Sequence, residues 1–321
     1  MPLVDLTMEE LIAYKPKLTR RDDFLKFWDE NKKQAEEQTL NYVEKRIEYF
    51  SSKLEVFKVA YDGFLDKSPI IGYFIKKAET KNKNPVIVFF HGYGGNKGTV
   101  SDYLGWIMLG FSVFTVDLRG QAGESPDYAR YTSGSIIGNM TKGILNKETY
   151  YYRYVYMDSF RAINYVLTRD DVDENKIGVA GVSQGGGLAI AMAALHKKVS
   201  LSLSSVPYLC NFERAINVAS AGPYLEILNY IKAHPEQEKT VMGVLSYFDN
   251  MNLAPEVKVP ILISVGLVDT ICPPSTIFAT YQYISSREKK LEVYPGMGHE
   301  EPNIHVEKKM ETATKYFIVQ Q

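Results

Sequence analysis

Six short apolar runs, at residues 86–90, 111–116, 177–182, 201–206, 261–265 and 291–294, constrain what this chain can fold into more than any other feature. They are nearly continuous, without polar alternation, which suits strands buried on both faces of a parallel sheet. Helical stretches separate them at residues 99–109, 150–167, 186–195, 275–285 and 304–319. This alternation predicts an α/β fold with a mostly parallel, doubly wound sheet and right-handed crossovers. Upstream, β-rich segments at residues 54–61 and 70–76, separated by Gly63 and Pro69, predict antiparallel strands at one edge.

The first 50 residues read as a helical arm. Thr7 and Glu10 have capping-box spacing ahead of Leu11 and Ile12, and Phe24, Phe27 and Trp28 fall at i, i+3 and i+4. Residues 208–255 contain no buried-strand run but three helix-like pieces, at 212–219, 223–233 and 239–249. They predict a helical insertion, which is a lid, a subunit contact or a long crossover. With 321 residues, the whole chain reads as a single domain of this class.

The net charge is −1, with no basic stripe, which argues against nucleic-acid or membrane-surface partners. No run approaches the roughly 20 apolar residues of a membrane span. The opening Met1-Pro2-Leu3-Val4-Asp5-Leu6 has no basic or apolar region of a signal peptide, so a cytoplasmic protein is expected. Cys210 and Cys272 have neither a disulfide-framework nor a zinc-ligand spacing and read as buried free thiols.

One of the apolar runs leads into Gly181-Val182-Ser183-Gln184-Gly185, followed by a small-residue helix. Strand, sharp turn and helix are the context in which Gly-x-Ser-x-Gly exposes a nucleophilic serine. Ser183 then needs a base, an orienting carboxylate and an oxyanion hole. In α/β hydrolases the acid and then the histidine follow the serine, each just past a core strand. Asp269, after the run at 261–265, fits the acid better than Asp249, which follows a helix-like piece. Of the histidines downstream of Ser183, His196 ends the next helix, His234 lies in the insertion and His305 lies in the last helix. His299, in Gly298-His299 just past the last run, fits the base. The backbone N–H groups of Gln184 and of Tyr93, in His91-Gly92-Tyr93-Gly94-Gly95, fit the oxyanion hole, and the Tyr93 ring is placed to wall an acyl pocket. The glycines match neither a dinucleotide fingerprint nor a phosphate loop, and His299-Glu300 opens no H-E-x-x-H. No cofactor and no catalytic metal are expected.

Three motifs, Arg119-Gly120-Gln121, Gly181-Val182-Ser183-Gln184-Gly185 and His299-Glu300, together resemble the acetyl xylan esterase and cephalosporin-C deacetylase family, family seven of the carbohydrate esterases. Supporting stretches are Gly266 to Ser275 and Thr141-Lys142-Gly143-Ile144-Leu145 before Tyr150-Tyr151-Tyr152-Arg153, and the likeness runs from about Phe24 to the C-terminus. The resemblance implies an α/β-hydrolase fold, Ser183, Asp269 and His299 as the triad, and Tyr93 and Gln184 as oxyanion donors. It also implies deacetylation of sugars such as acetylated xylooligosaccharides and of cephalosporins, and assembly into homohexamers. Arg119 and Gln121 are expected to hold the loops around the site. Ala122 stands where a second glycine of that motif often sits. The broader alternative is a hydrolase of the same fold acting on other esters or on peptides.

Overall fold

A computed structural model describes residues 4–78, 82–133 and 135–319. Its strands are β1 (Val43–Ile47), β2 (Leu54–Asp62), β3 (Pro69–Lys77), β4 (Asn84–Phe90), β5 (Ser112–Val116), β6 (Val172–Val182), β7 (Val199–Ser205), β8 (Ile261–Gly266) and β9 (Lys289–Tyr294). They form one sheet in the order β1-β2-β3-β5-β4-β6-β7-β8-β9. From β5 to β9 every pairing is parallel, whereas β1, β2 and β3 pair antiparallel and β3 joins β5 antiparallel. All six apolar runs are strands, and β4, β7 and β8 are buried along nearly their whole length.

The amino-terminal arm departs from its expected helical form. Thr7 and Glu10 do form the capping box of a helix, Met8–Ala13, and a second helix spans Phe24–Glu37. Residues 43–47, however, are strand β1, paired with Val56–Ala60 of β2. This segment has no helical apolar period and little burial, so its pairing with β2 determines its conformation.

The helix Phe24–Glu37 packs on the buried helix Tyr151–Leu167, which in turn lies on the sheet. Trp28 stacks on Tyr156 at 5.4 Å between ring centroids and donates from Nε1 to the Tyr247 carbonyl at 3.0 Å. Buried Arg161 donates to the carbonyls of Ala35, Gln38 and Thr39, placing a cation at the carboxyl end of that helix.

Residues 208–255 connect the adjacent parallel strands β7 and β8 through helices Phe212–Val218, Tyr224–Ala233, Glu238–Leu245 and Asn250–Leu253. Tyr208, Cys210, Tyr224, Ile227 and Phe248 all enter the main core. Both cysteines are free and buried. Among the described residues, no helix is long and apolar enough to cross a membrane.

His196 caps the carboxyl end of the helix Gln184–Leu195. Its Nδ1 accepts from the Lys198 N–H at 3.2 Å, and its Nε2 lies 3.1 Å from Asn164 Oδ1. This pairing uses a neutral ring, and burial pushes the pKa from 6.5 down to about 3. Because the folded-state value is depressed, the stabilisation is complete above the unfolded-state value and is lost as pH falls toward the folded one. The melting temperature is expected to fall between about pH 7 and about pH 5, and less steeply in His196→Gln. An equal slope in the variant would show that His196 does not contribute.

Candidate active site

Strand β6 ends at Val182, and the helix Gln184–Leu195 begins two residues later. Ser183 makes the turn between them at φ 58° and ψ −119°, a conformation costing on the order of 1–3 kcal/mol for a residue with a side chain. Three backbone bonds hold it there. Its N–H donates to the Ser205 carbonyl, and its carbonyl accepts from the N–H groups of Gly187 and Tyr208, each at 2.9 Å. The flanking glycines are a steric requirement. A Cβ on Gly181 would lie 2.3 Å from the carbonyl carbon of Gly185, and one on Gly185 would lie 1.9 Å from the Phe90 carbonyl oxygen.

The turn after β8 brings Asp269 into the interior, fully buried. Its Oδ1 accepts from the N–H groups of Ile271 and Cys272, both at 2.8 Å. Its Oδ2 lies 2.8 Å from His299 Nδ1, and His299 Nε2 lies 2.8 Å from Ser183 Oγ. With Asp269 ionised, Nδ1 carries the proton and Nε2 offers its lone pair to the serine hydroxyl. The histidine loop rests directly on the end of β8: a Cβ on Gly266 would come within 2.3 Å of the Gly298 carbonyl, and Val268 N–H donates to Met297 at 3.1 Å.

The structure therefore brings Ser183, His299 and Asp269 together and sets the other candidates apart. Asp249 instead accepts from the N–H groups of Asn211, Phe212 and Met251, and burial pushes its pKa up to about 6. His305 packs against Tyr294, with Nδ1 3.2 Å from its hydroxyl. Cys272 places its sulfur within 4.8 Å of potential ligand atoms on Asp269 and His299. Burial pushes its thiol well up, and both His299 ring nitrogens have other partners, Nδ1 at Asp269 and Nε2 at Ser183.

The loop after β4 lies over the serine. A Cβ built on Gly92 would sit 3.8 Å from Ser183 Cβ. Among the described residues, no partner is found for the N–H groups of Tyr93 and Gln184. His91, which the sequence motif contained without a role, fixes this loop. Its Nε2 accepts from Leu118 N–H at 2.9 Å, its Nδ1 lies 2.7 Å from the Gly92 carbonyl, and burial lowers its pKa, consistent with a neutral ring. Gln121 accepts from Gly94 N–H at 2.8 Å and donates to Gln184 Oε1 at 3.1 Å and Tyr151 Oη at 3.0 Å. It thereby ties the loop after β4 to Gln184.

Arg119 is fully buried and faces other partners. It grips Asp158 with two bonds, of 2.6 and 2.9 Å, and reaches Asp66 at 2.7 Å. No bond joins it to Ser183, Asp269 or His299. Glu226, in the first turn of the helix Tyr224–Ala233, gave no sequence signal because an acidic residue at that position reads as an ordinary solvated one. It accepts from Tyr93 Oη at 2.8 Å, and burial pushes its carboxyl above the usual range.

The chain matches the acetyl xylan esterase (AXE1) family over residues 1–316. It belongs to that family. It is 24% identical over 290 residues to acetyl esterase Axe7A of Xylanibacter ruminicola, covering 86% of this chain but only 63% of that protein. The acetyl xylan esterase from Paenibacillus sp. R4 superposes with a TM-score of 0.93 at 38% identity, covering 98% of this chain and 100% of that one. Acetyl xylan esterase 1 from Thermoanaerobacterium sp. JW/SL YS485 gives 0.92 at 31%, covering 97% and 99%. The fold is that of the α/β-hydrolase esterases.

Arg119→Ala would leave the buried Asp158 carboxyl without its main partner. Chemical denaturation is expected to show a loss of about 3–5 kcal/mol. A loss no larger than that of an exposed ion pair would refute a supporting role for Arg119.

Proposed function

We propose that the protein is a serine esterase that removes acetyl groups from acetylated xylooligosaccharides through an acetyl-enzyme. The observation that carries this reading is the relay of two 2.8 Å contacts from Asp269 through His299 to Ser183. The backbone N–H groups of Tyr93 and Gln184, in the two segments next to it, have no protein partner among the described residues, which supports them as the oxyanion donors. Family membership and the two acetyl xylan esterase structures support the acetyl group and the sugar.

In this mechanism His299 Nε2 takes the Ser183 proton as Oγ bonds to the acetyl carbon, and the carbonyl electron pair moves onto oxygen. The N–H groups of Tyr93 and Gln184 stabilise that oxyanion. Collapse breaks the bond to the sugar oxygen, which leaves with the proton from His299. Water then attacks the acetyl-enzyme, giving its proton to His299, and acetate departs as Ser183 is restored. Asp269 fixes the imidazole tautomer and stabilises its charged form.

The same chemistry serves the acetoxymethyl arm of cephalosporin C, which we propose as a second substrate. The family resemblance supports a homohexamer.

Acetate release should be measured from acetylated xylooligosaccharides and from cephalosporin C, with an octanoyl ester as control. Ser183→Ala is expected to lower the rate by up to about 10⁶-fold. A variant retaining most of its activity would remove Ser183 from the chemistry. Turnover of the octanoyl ester alone would keep the serine and overturn the acetyl assignment.

A further inference from the structure

We propose that Glu226 is a positioning residue that aims the Tyr93 oxyanion donor and fixes the wall of the acyl pocket, so that the connection between β7 and β8 sets the preference for short acyl groups. This inference rests on the serine-esterase reading above.

Two segments, the loop carrying Tyr93 and residues 138–140, converge on this one carboxylate. Tyr93 Oη donates to it, at 2.8 Å from Oε1 and 3.1 Å from Oε2. Met140 N–H donates to Oε2 at 3.0 Å. Gly138, at φ +71°, lies so close that a Cβ there would come within 2.2 Å of Oε1. The tyrosine oxygen in turn accepts from Asn139 N–H at 2.5 Å. Tyr93 therefore directly follows Gly92, which packs on Ser183, and has its ring tip bonded on both sides by elements far away in sequence. Hydrogen bonds to a charged acceptor are roughly twice as strong as neutral ones. The Tyr93 phenol, pushed up by burial, stays protonated and able to donate.

The anchor itself is rigid. Tyr224 and Ile227, on either side of Glu226 in the same helix, are fully buried, and the Tyr224 hydroxyl bonds to the Cys210 backbone. Gly94 N–H is held by Gln121 one residue beyond Tyr93. The tyrosine is thus clamped through its backbone on one side and through its ring on the other. Removing the carboxylate releases the ring and loosens the neighbouring N–H. A misplacement on the order of 1 Å in such a group can cost about 10²-fold in rate. A freed ring also opens the pocket to longer acyl chains, and each methylene admitted is worth about 10-fold or more.

The test compares Glu226→Ala, Glu226→Gln, Tyr93→Phe and the double variant Glu226→Ala/Tyr93→Phe on acetyl and butyryl esters. Labelling of Ser183 by an organophosphonate, and the melting temperature, are followed in each. Glu226→Ala is expected to lower kcat for the acetyl ester by about 10²-fold with little change in KM. It is also expected to shift the butyryl-to-acetyl ratio upward by about 10-fold. Glu226→Gln retains one acceptor for the tyrosine and falls between. Tyr93→Phe keeps ring and backbone but loses the bond, so it reproduces the Glu226→Ala effect, and the double variant adds nothing further. Folded Glu226→Ala with unchanged kcat and acyl preference would overturn the proposal, as would additive losses in the double variant. If Glu226→Ala fails to fold, Tyr93→Phe decides: wild-type behaviour there overturns the proposal too. Failure of the wild type to take the phosphonate at Ser183 would instead strike the serine-esterase reading on which the proposal stands.

Discussion

The approach of the helix Gln184–Leu195 to the carboxyl ends of β4 and β7 is the constraint that shapes the site. Gly185 lies against the Phe90 carbonyl at the end of β4. A Cβ on Gly186 would meet the Ser205 carbonyl at the end of β7 at 2.7 Å, and one on Gly187 would meet the Tyr208 carbonyl at 2.3 Å. Glycine in a helix costs about 1 kcal/mol relative to alanine. Here three in succession allow a distance that no side chain permits. Because the loop carrying Tyr93 begins immediately after Phe90, the same contact fixes the separation between the two candidate oxyanion donors. The strained φ of Ser183 is sustained because its backbone N–H bonds to Ser205 of β7 and its carbonyl to Gly187 and Tyr208.

Charge near the site is spent on holding loops rather than facing a ligand. Asp117 receives Lys97 through both N–H and ammonium, each at 2.6 Å, and Lys97 also meets Glu124 at 2.7 Å. Arg119 is absorbed by Asp158 and Asp66. Asp269 differs in that one oxygen is committed to two backbone N–H groups and the other faces an imidazole. Hydrogen bonding on one side orients the free oxygen on the other, as a base requires of its partner.

Much of this was legible in the sequence because it rests on local rules. Buried parallel strands cannot avoid apolar runs, so β4 to β9 are plain, and each candidate site residue follows such a run by one to five positions. Strand β1 was hidden because its residues are mostly solvated and only pairing makes them a strand. Asp249 against Asp269 was decided from position alone, and the structure shows the reason: Asp249 is occupied as a helix cap and loop anchor. Arg119 could be seen as a supporting cation, but its partners Asp66 and Asp158 lie 53 and 39 positions away, beyond any spacing rule. Glu226 lay beyond reach for the same reason, with its contact to Tyr93 spanning 133 positions.

The connection between β7 and β8 was open to three readings, and its packing bears on which the chemistry can use. A lid must leave the core to open, which exposes the side chains it buries. Tyr208, Cys210, Tyr224, Ile227 and Phe248 belong to the same apolar cluster as the sheet. Fully burying one such large apolar side chain is worth about 1.5–3 kcal/mol, so detaching several together is costly. On the serine-esterase reading, a wall of this kind is preorganised rather than closed by substrate. Donors fixed before the reaction lose nothing in reorganisation when the oxyanion forms, and that is where such groups contribute most to rate. A fixed wall also limits acyl length by volume alone, since a long chain cannot push aside an element anchored in the core. On the proposed reading, selectivity for a small acyl group and a prepared oxyanion hole arise from one structural cause, the burial of this connection.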